Sequence, residues 1–214
     1  MKNPLYPVFI KLHQLELLLV GAGEVGFEKL SFILKSSPDA NISIVAPEIS
    51  PKIKNLLQSG DFKVQIFHKK FEASDVQGKN LVIAATDISD LNREVQRIAK
   101  QKGVLVNVAD TPDLCDFYLG AIVTRGNLKV AISTNGRSPT FAKRFRQILE
   151  TTLPEETADL LKHLKVIRDR LTGDFKYKVK KLNAITATLI GAESPDLCHS
   201  CPYKTAPFEN EKVM

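Results

Sequence analysis

The stretch Leu15–Gly26, LELLLVGAGEVG, limits most sharply what this chain can fold into. An apolar run stops at Gly21, continues as G-A-G-E-V-G and flows into the helix-like pattern Phe27–Leu34. A glycine triplet alone says little. Placed after a strand pattern and before a helix pattern, it has the context a dinucleotide-binding turn requires. The three glycines then serve different ends. Gly21 permits the tight turn, Gly23 lets the backbone approach a pyrophosphate, and Gly26 lets helix and strand pack closely. Glu24 and Val25 open the helix, whose first N–H groups are left to bind an anion. The alternative is a tight strand-to-helix turn that holds no ligand.

The pattern around this turn repeats. An extended lead-in, Tyr6–Leu12, precedes it, and the first helix should stop before Pro38. Ile42–Ala46 reads as a second buried strand ending at Pro47, Ile53–Gly60 as a short helix, and Lys63–Phe67 as an alternating strand. Leu81–Ala85 is a continuous apolar run, followed by a helix over Leu91–Lys102, closed by Gly103, and a strand over Val104–Val108. Strands alternating with helices predict a parallel, doubly wound sheet of Rossmann type.

Beyond residue 112 the pattern changes. Ala121–Thr124 and Leu128–Ser133 flank Arg125-Gly126-Asn127 as a hairpin would. Ser138-Pro139 supplies an N-cap and a first-turn proline for a helix through Leu149. Further helices are expected from Pro154 to about Gly173 and from Lys176 to Ile190, followed by a polar tail, 192–214. The expected organisation is an α/β dinucleotide-binding domain over 1–112, a small α+β segment over 113–150, a helical domain over 151–191 and the tail.

Composition narrows the class. No apolar run reaches the roughly 18 to 20 residues of a membrane helix, and Met1–Pro7 lacks a signal-peptide core. Three cysteines in 214 residues argue against a disulfide framework, so a cytoplasmic protein without membrane attachment is expected. The net charge of +6 calls for an anionic partner or serves solubility. The basic residues are dispersed, without the basic arm and interleaved aromatics of a nucleic-acid binder.

In an open α/β sheet, ligands bind beyond the carboxyl ends of the strands. That rule nominates Gly21, Gly23, Glu24, Val25 and Gly26 after strand one, Pro47 and Glu48 after strand two, Thr86 and Asp87 after strand four, and Asn107, Asp110 and Thr111 at strand five. The carboxylate that usually ends strand two and binds the adenosine ribose is missing, because Val45 and Ala46 stand there. Glu48, or the backbone of Pro47-Glu48, takes that part, or Glu48 is a solvated loop carboxylate. The absence of an arginine after the strand favours NAD over NADP. Asp110 follows an apolar strand and precedes Thr111-Pro112. Partly desolvated by strand and ligand, it would suit a general base. The alternative is an Asx turn capping Pro112 and Asp113.

Several short motifs, in order, carry a resemblance: LYPVF at 5–9, VGAGEV at 20–25, VAPE at 45–48, AATD at 84–87, NVADTP at 107–112 and STNGRSP at 133–139. Together they resemble the N-terminal module of siroheme synthases, the precorrin-2 dehydrogenase and sirohydrochlorin ferrochelatase family, closely over about residues 4 to 150. The resemblance implies NAD-dependent oxidation of precorrin-2 to sirohydrochlorin, with iron or cobalt insertion left open as a second activity. It also implies that the segment after the dinucleotide domain forms a homodimer, and that the tetrapyrrole lies between cofactor domain and dimer. Asp110 matches the family's catalytic aspartate. The motif places Thr134, Asn135, Gly136, Arg137 and Ser138 at the substrate, with Thr134 where some relatives carry a serine. The many carboxylates of the tetrapyrrole give the basic balance a small-molecule partner, and Arg137, Lys143, Arg144 and Arg146 are candidates to meet them.

Cys198-His199-Ser200-Cys201 suggests a metal, but a structural zinc needs four ligands and only the distant Cys115 remains, so no metal site is assigned. A non-enzymatic NAD-binding regulatory domain is the rival reading. It would share the glycine turn, need no acid after strand five, and usually carry the ribose carboxylate missing here.

Overall fold

The computed structural model describes residues 3–187. The described chain divides after Thr157 into two compact units.

The first unit is built on β1 (Glu16–Val20), β2 (Asn41–Val45), β3 (Val64–Phe67), β4 (Leu81–Ala84) and β5 (Leu105–Val108). All pair in parallel, in the order β3-β2-β1-β4-β5. The doubly wound expectation holds. The three inner strands carry apolar side chains on both faces because both faces are covered. Leu17, Leu19, Ile42, Ile44 and Ile83 pack on one side with Leu30 and Ile33 of α1 (Glu24–Ser36) and Ile53 of α2 (Pro51–Gln58). Leu18, Val20, Val82 and Val106 pack on the other with Val95, Ile98 and Ala99 of α3 (Ser89–Gln101).

Local chemistry sets the boundaries. The α3 helix ends at Gly103 (φ 68), with Val104 N–H donating to Ala99 O at 2.9 Å and Gly103 N–H to Lys100 O at 3.1 Å, a Schellman ending. The α2 helix begins at Pro51, two residues before the expected Ile53, because Ser50 is its N-cap and accepts from Lys52 N–H at 3.2 Å. Ser50-Pro51 is the same pair of start signals as Ser138-Pro139.

After β5 the chain leaves the sheet and forms the antiparallel hairpin β6 (Ala121–Arg125) and β7 (Leu128–Ile132), turning at Gly126 (φ 55). The helix α4 (Pro139–Thr152) lies against β6 and β7, capped by Ser138 Oγ on Phe141 N–H at 3.1 Å. Lys129 on β7 donates to the carbonyl of Ser36, the last residue of α1. A cation there complements the negative end of the helix.

The helix expected from Pro154 starts at Thr157 instead. Leu153, ahead of proline, is extended, and Pro154–Thr157 is a separate turn closed by Thr157 N–H on Pro154 O at 3.2 Å. In the second unit, α5 (Thr157–Arg170) carries its own ion pairs, Lys162 with Asp159 and Lys165 with Asp169. The next helix, α6 (Phe175–Thr186), is capped by Asp174, which accepts from Tyr177 N–H at 2.7 Å. The end expected for this helix at Ile190, the tail and Cys198–Cys201 lie outside the described residues.

Candidate functional site

The parallel ladder brings the ends of β1, β2, β4 and β5 level. Gly21 N–H donates to Val45 O, Ala85 N–H to Val20 O and Ala109 N–H to Ala84 O, at 3.0, 2.8 and 2.9 Å. The turn after β1, the loop after β2 and the turns after β4 and β5 therefore share one edge of the sheet.

At the first turn Gly21 has φ 100, and a Cβ there would lie 2.5 Å from Ala85 O. A Cβ on Gly26 would lie 2.3 Å from Gly21 O. Both positions admit only hydrogen. At exposed Gly23, by contrast, a Cβ would meet nothing within 4 Å. The two outer glycines thus shape the turn, and the middle one leaves open space before it. No side chain caps the first turn of α1, so the N–H groups of Glu24, Val25 and Gly26 face that space without a capping partner among the described residues. A dinucleotide diphosphate fits this cradle.

The loop after β2 is tied to the glycine turn. Ser50 N–H donates to Ala22 O at 3.0 Å, and Lys52 Nζ stands 2.7 Å from Glu24 Oε2. Pro47 and Glu48 are exposed at this place. Neither Ser50 nor Lys52 stood out in the sequence, although Ser50-Pro51 marked the helix start.

After β4, Thr86 is held by Asn92. The hydroxyl of Thr86 reaches Asn92 Oδ1 at 2.7 Å, Thr86 N–H donates to the same oxygen, and Asn92 Nδ2 donates to Thr86 O at 2.9 Å. Asn92 is buried. It was legible in principle as the one amide on the apolar stripe Asn92, Val95, Ala99 of α3. Asp87 is exposed beside it.

After β5 the chain makes a turn closed by Thr111 N–H on Val108 O at 3.3 Å, and Asp110 stands at its third position with φ 56. That position takes positive φ in type II turns, where glycine is the usual occupant. Asp110 is exposed, not desolvated by the strand as the sequence suggested, and no hydrogen bond reaches its carboxylate among the described residues. The Asx turn onto Pro112 and Asp113 is not formed. A non-glycine residue in this conformation, offering a bare carboxylate at the ligand edge, is where strain commonly marks function.

Asn107 departs from expectation. It is buried, and its Nδ2 donates to Phe117 O at 2.8 Å, so its amide is engaged inside the protein rather than open to the crevice. Asp110, Thr111 and Thr86 line a cavity of about 270 Å³ together with Ser89 and Arg93 of α3. Arg93, which the sequence did not single out, has no ion-pair partner among the described residues. A larger cavity of about 430 Å³, by Glu16, Asn41 and Lys63, lies at the amino edge of the sheet, the wrong end for a ligand.

The remaining candidates form a self-bonded loop between β7 and α4. Asn135 (φ 54) and Gly136 (φ 72) are the centre of a type I′ turn closed by Arg137 N–H on Thr134 O at 3.1 Å. Thr134 Oγ1 accepts from Ser138 N–H at 3.1 Å, and Ser138 caps α4. Arg146 is engaged with Glu150 one turn on and Arg144 with Gln147, whereas Lys143 is exposed.

A parallel sheet in this order, with an open glycine turn at its carboxyl edge, defines a dinucleotide-binding protein of the Rossmann class. The chain belongs to the putative NAD(P)-binding family, whose model matches residues 8–121, and a second model, sirohaem biosynthesis protein central, matches residues 125–152. It is similar to the siroheme synthase of Ruthia magnifica subsp. Calyptogena magnifica, 35% identical over 175 residues covering 82% of this chain and 34% of that protein. The siroheme synthase of Methylococcus capsulatus is 38% identical over 165 residues, 77% of this chain and 34% of the other. The chain thus spans about a third of the length of these relatives. Among solved structures, SirC, a precorrin-2 dehydrogenase, matches with a TM-score of 0.68 and 27% identity over 85% of this chain and 89% of that one. No helix among the described residues is long and apolar enough to cross a membrane.

Proposed function

We propose that this chain is an NAD-dependent precorrin-2 dehydrogenase that forms sirohydrochlorin in siroheme biosynthesis. One observation carries the reading: the open cradle at Gly23 and the bare, left-handed Asp110 share one sheet edge, in a chain similar over most of its length to SirC. The rival, a dinucleotide-binding regulatory domain, has no use for the second of these features.

Oxidation of the macrocycle removes a hydride and a proton. NAD, when bound, accepts the hydride. The protein's share is placement and proton transfer. Gly21 and Gly26 fix the turn, the N–H groups from Glu24 onward meet the diphosphate, and Pro47-Glu48 lie beside the adenosine ribose. The Thr86–Asn92 lock holds the loop carrying Asp87 at the nicotinamide side. Asp110 accepts the proton, and its exposure gives a bulky substrate access. Arg93 in the same cavity and the Thr134–Ser138 loop meet substrate carboxylates and ring edge. The hairpin and α4 form the homodimer contact, their exposed Ile122, Phe141, Phe145 and Ile148 being the apolar surface it would cover.

Mixing the protein with precorrin-2 and NAD tests the reading. NADH should appear with wild type, and Asp110→Asn should lower turnover about 10² to 10⁴-fold while leaving NAD affinity within twofold. Wild type that binds NAD yet forms no NADH would favour the regulatory reading.

A further inference from the structure

The strand β5 is the outermost strand of its side of the sheet, so one row of its backbone groups lacks a neighbouring strand. Four side-chain and main-chain contacts from Cys115 and Asp116 answer that row. Val106 N–H donates to Asp116 Oδ2 at 3.0 Å, and Asp116 N–H donates back to Val106 O at 2.8 Å. Two residues on, Val108 N–H donates to Cys115 Sγ at 3.2 Å, and the thiol in turn lies 3.2 Å from Val108 O. Between them Asn107 Nδ2 holds Phe117 O. Lys100 of α3 pairs with the other oxygen of Asp116, whose side chain is only 18% exposed. The loop 109–114 leaves the sheet at Val108 and is fastened back to the same strand at Cys115. Asp110 sits two residues beyond the first of these points.

We propose that Cys115 and Asp116 form a clasp on the free edge of β5 that positions Asp110 for proton transfer, both being positioning residues for the reaction proposed above, on which the inference rests. The physical need is specific. Asp110 stands in the left-handed region of a turn closed by Thr111 N–H on Val108 O, and no hydrogen bond among the described residues holds its carboxylate, so the rest of its placement comes from the two ends of its loop. A rigid strand supplies one end and the clasp the other. Misplacement of a catalytic group by about 1 Å costs up to about 10²-fold in rate.

The test compares Asp116→Ala, Asp116→Asn, Cys115→Ala and Cys115→Ser in the full chain, with NAD binding, melting temperature and steady-state turnover of precorrin-2 measured for each. Wild type must form NADH; if it does not, the dehydrogenase reading fails and the clasp with it. Given active wild type, Asp116→Ala and Cys115→Ala should each lower kcat about 10-fold or more, with NAD affinity within twofold because the glycine turn is untouched. Asp116→Asn keeps an acceptor for Val106 N–H and should recover most of what Asp116→Ala loses. Cys115→Ser, which keeps a donor and acceptor, should lie between wild type and Cys115→Ala. Variants that melt lower yet retain wild-type kcat well below their melting temperature would reduce the clasp to a structural edge cover and overturn the proposal. Should Asp116→Ala not fold, the two cysteine variants and Asp116→Asn decide by the same comparison.

Discussion

A Cβ on Gly26 would stand 2.3 Å from the carbonyl oxygen of Gly21, so the first and last glycines of the turn are packed against each other. Gly23 between them has open space. The two kinds of position should respond differently to alanine. Gly26→Ala should destabilise the protein by about 1–3 kcal/mol as an overpacked site does, lowering the melting temperature and NAD affinity together. Gly23→Ala should cost less than about 1 kcal/mol, the difference between glycine and alanine at an N-cap. Its NAD affinity should nevertheless fall about 10-fold, because the new methyl stands where the diphosphate would approach. Calorimetric melting beside NAD titration separates the two; equal affinity losses at equal stability would contradict this division.

Asp110 at φ 56 predicts an unusual order of stability among its variants. Asp110→Gly should match or exceed wild type, Asp110→Asn should match it, and Asp110→Ala should lose about 1 kcal/mol, since only glycine and the short polar residues visit this region cheaply. Chemical denaturation gives the order directly. A most stable alanine variant would mean that the turn relaxes out of the left-handed region.

Lys52 and Glu24 meet beside the cradle, both largely exposed. Such a pair adds little to stability. Its value is local, because an unpaired Glu24 carboxylate would repel a diphosphate. Lys52→Met should weaken NAD binding about three- to tenfold at low ionic strength, less in high salt. Adding Glu24→Gln should restore most of the loss. If the double variant binds as poorly as Lys52→Met alone, the lysine acts by contact with the dinucleotide rather than by neutralising its neighbour.

Burial pushes the Cys115 thiol above the ordinary range, with the Val108 backbone contact opposing it. A raised value in the folded state means that the thiol's contribution to stability is present below the unfolded value and is lost as pH rises through the folded one. Alkylation of Cys115, followed by peptide mass mapping to separate it from Cys198 and Cys201, should be slow at pH 8 and rise only at higher pH. Melting temperature should fall over the same alkaline range in wild type and less in Cys115→Ala. Rapid labelling of Cys115 at pH 7 would refute the burial argument.

The sheet was legible because its inner strands are continuous apolar runs and its helices carry one stripe, signals that survive without tertiary context. Gly21, Gly26, Gly103 and Ser138-Pro139 were readable for the same reason: each solves a backbone problem at its own position. What was not legible lies in contacts between distant residues. Asn107 looked like a ligand group because it stands near the carboxyl end of a strand, yet its amide is claimed by Phe117, ten residues on. Asp110 looked desolvated because an apolar strand precedes it, but the turn carries it outward. Lys52 reaches Glu24 only because α2 docks beside the glycine turn. The early start of α2 at Pro51 is a different case, since its start signal was present in Ser50-Pro51, two residues ahead of the apolar Ile53.

The side chains of Cys115 and Asp116 also close a door on the architecture. A sixth parallel strand would need the hydrogen-bonding row on β5 that these residues occupy, so the sheet stops growing at five on that side and the chain must turn away into its hairpin. At the opposite margin no side chain among the described residues bonds the outer backbone row of β3, where Val64 N–H meets only Phe62 O at 3.0 Å, and exposed Phe67 lies along it. An unprotected strand margin is a template for pairing with another chain. When this protein misassembles, during folding or on storage, strand exchange should begin at Val64–Phe67 and spare the margin beside the Asp110 turn.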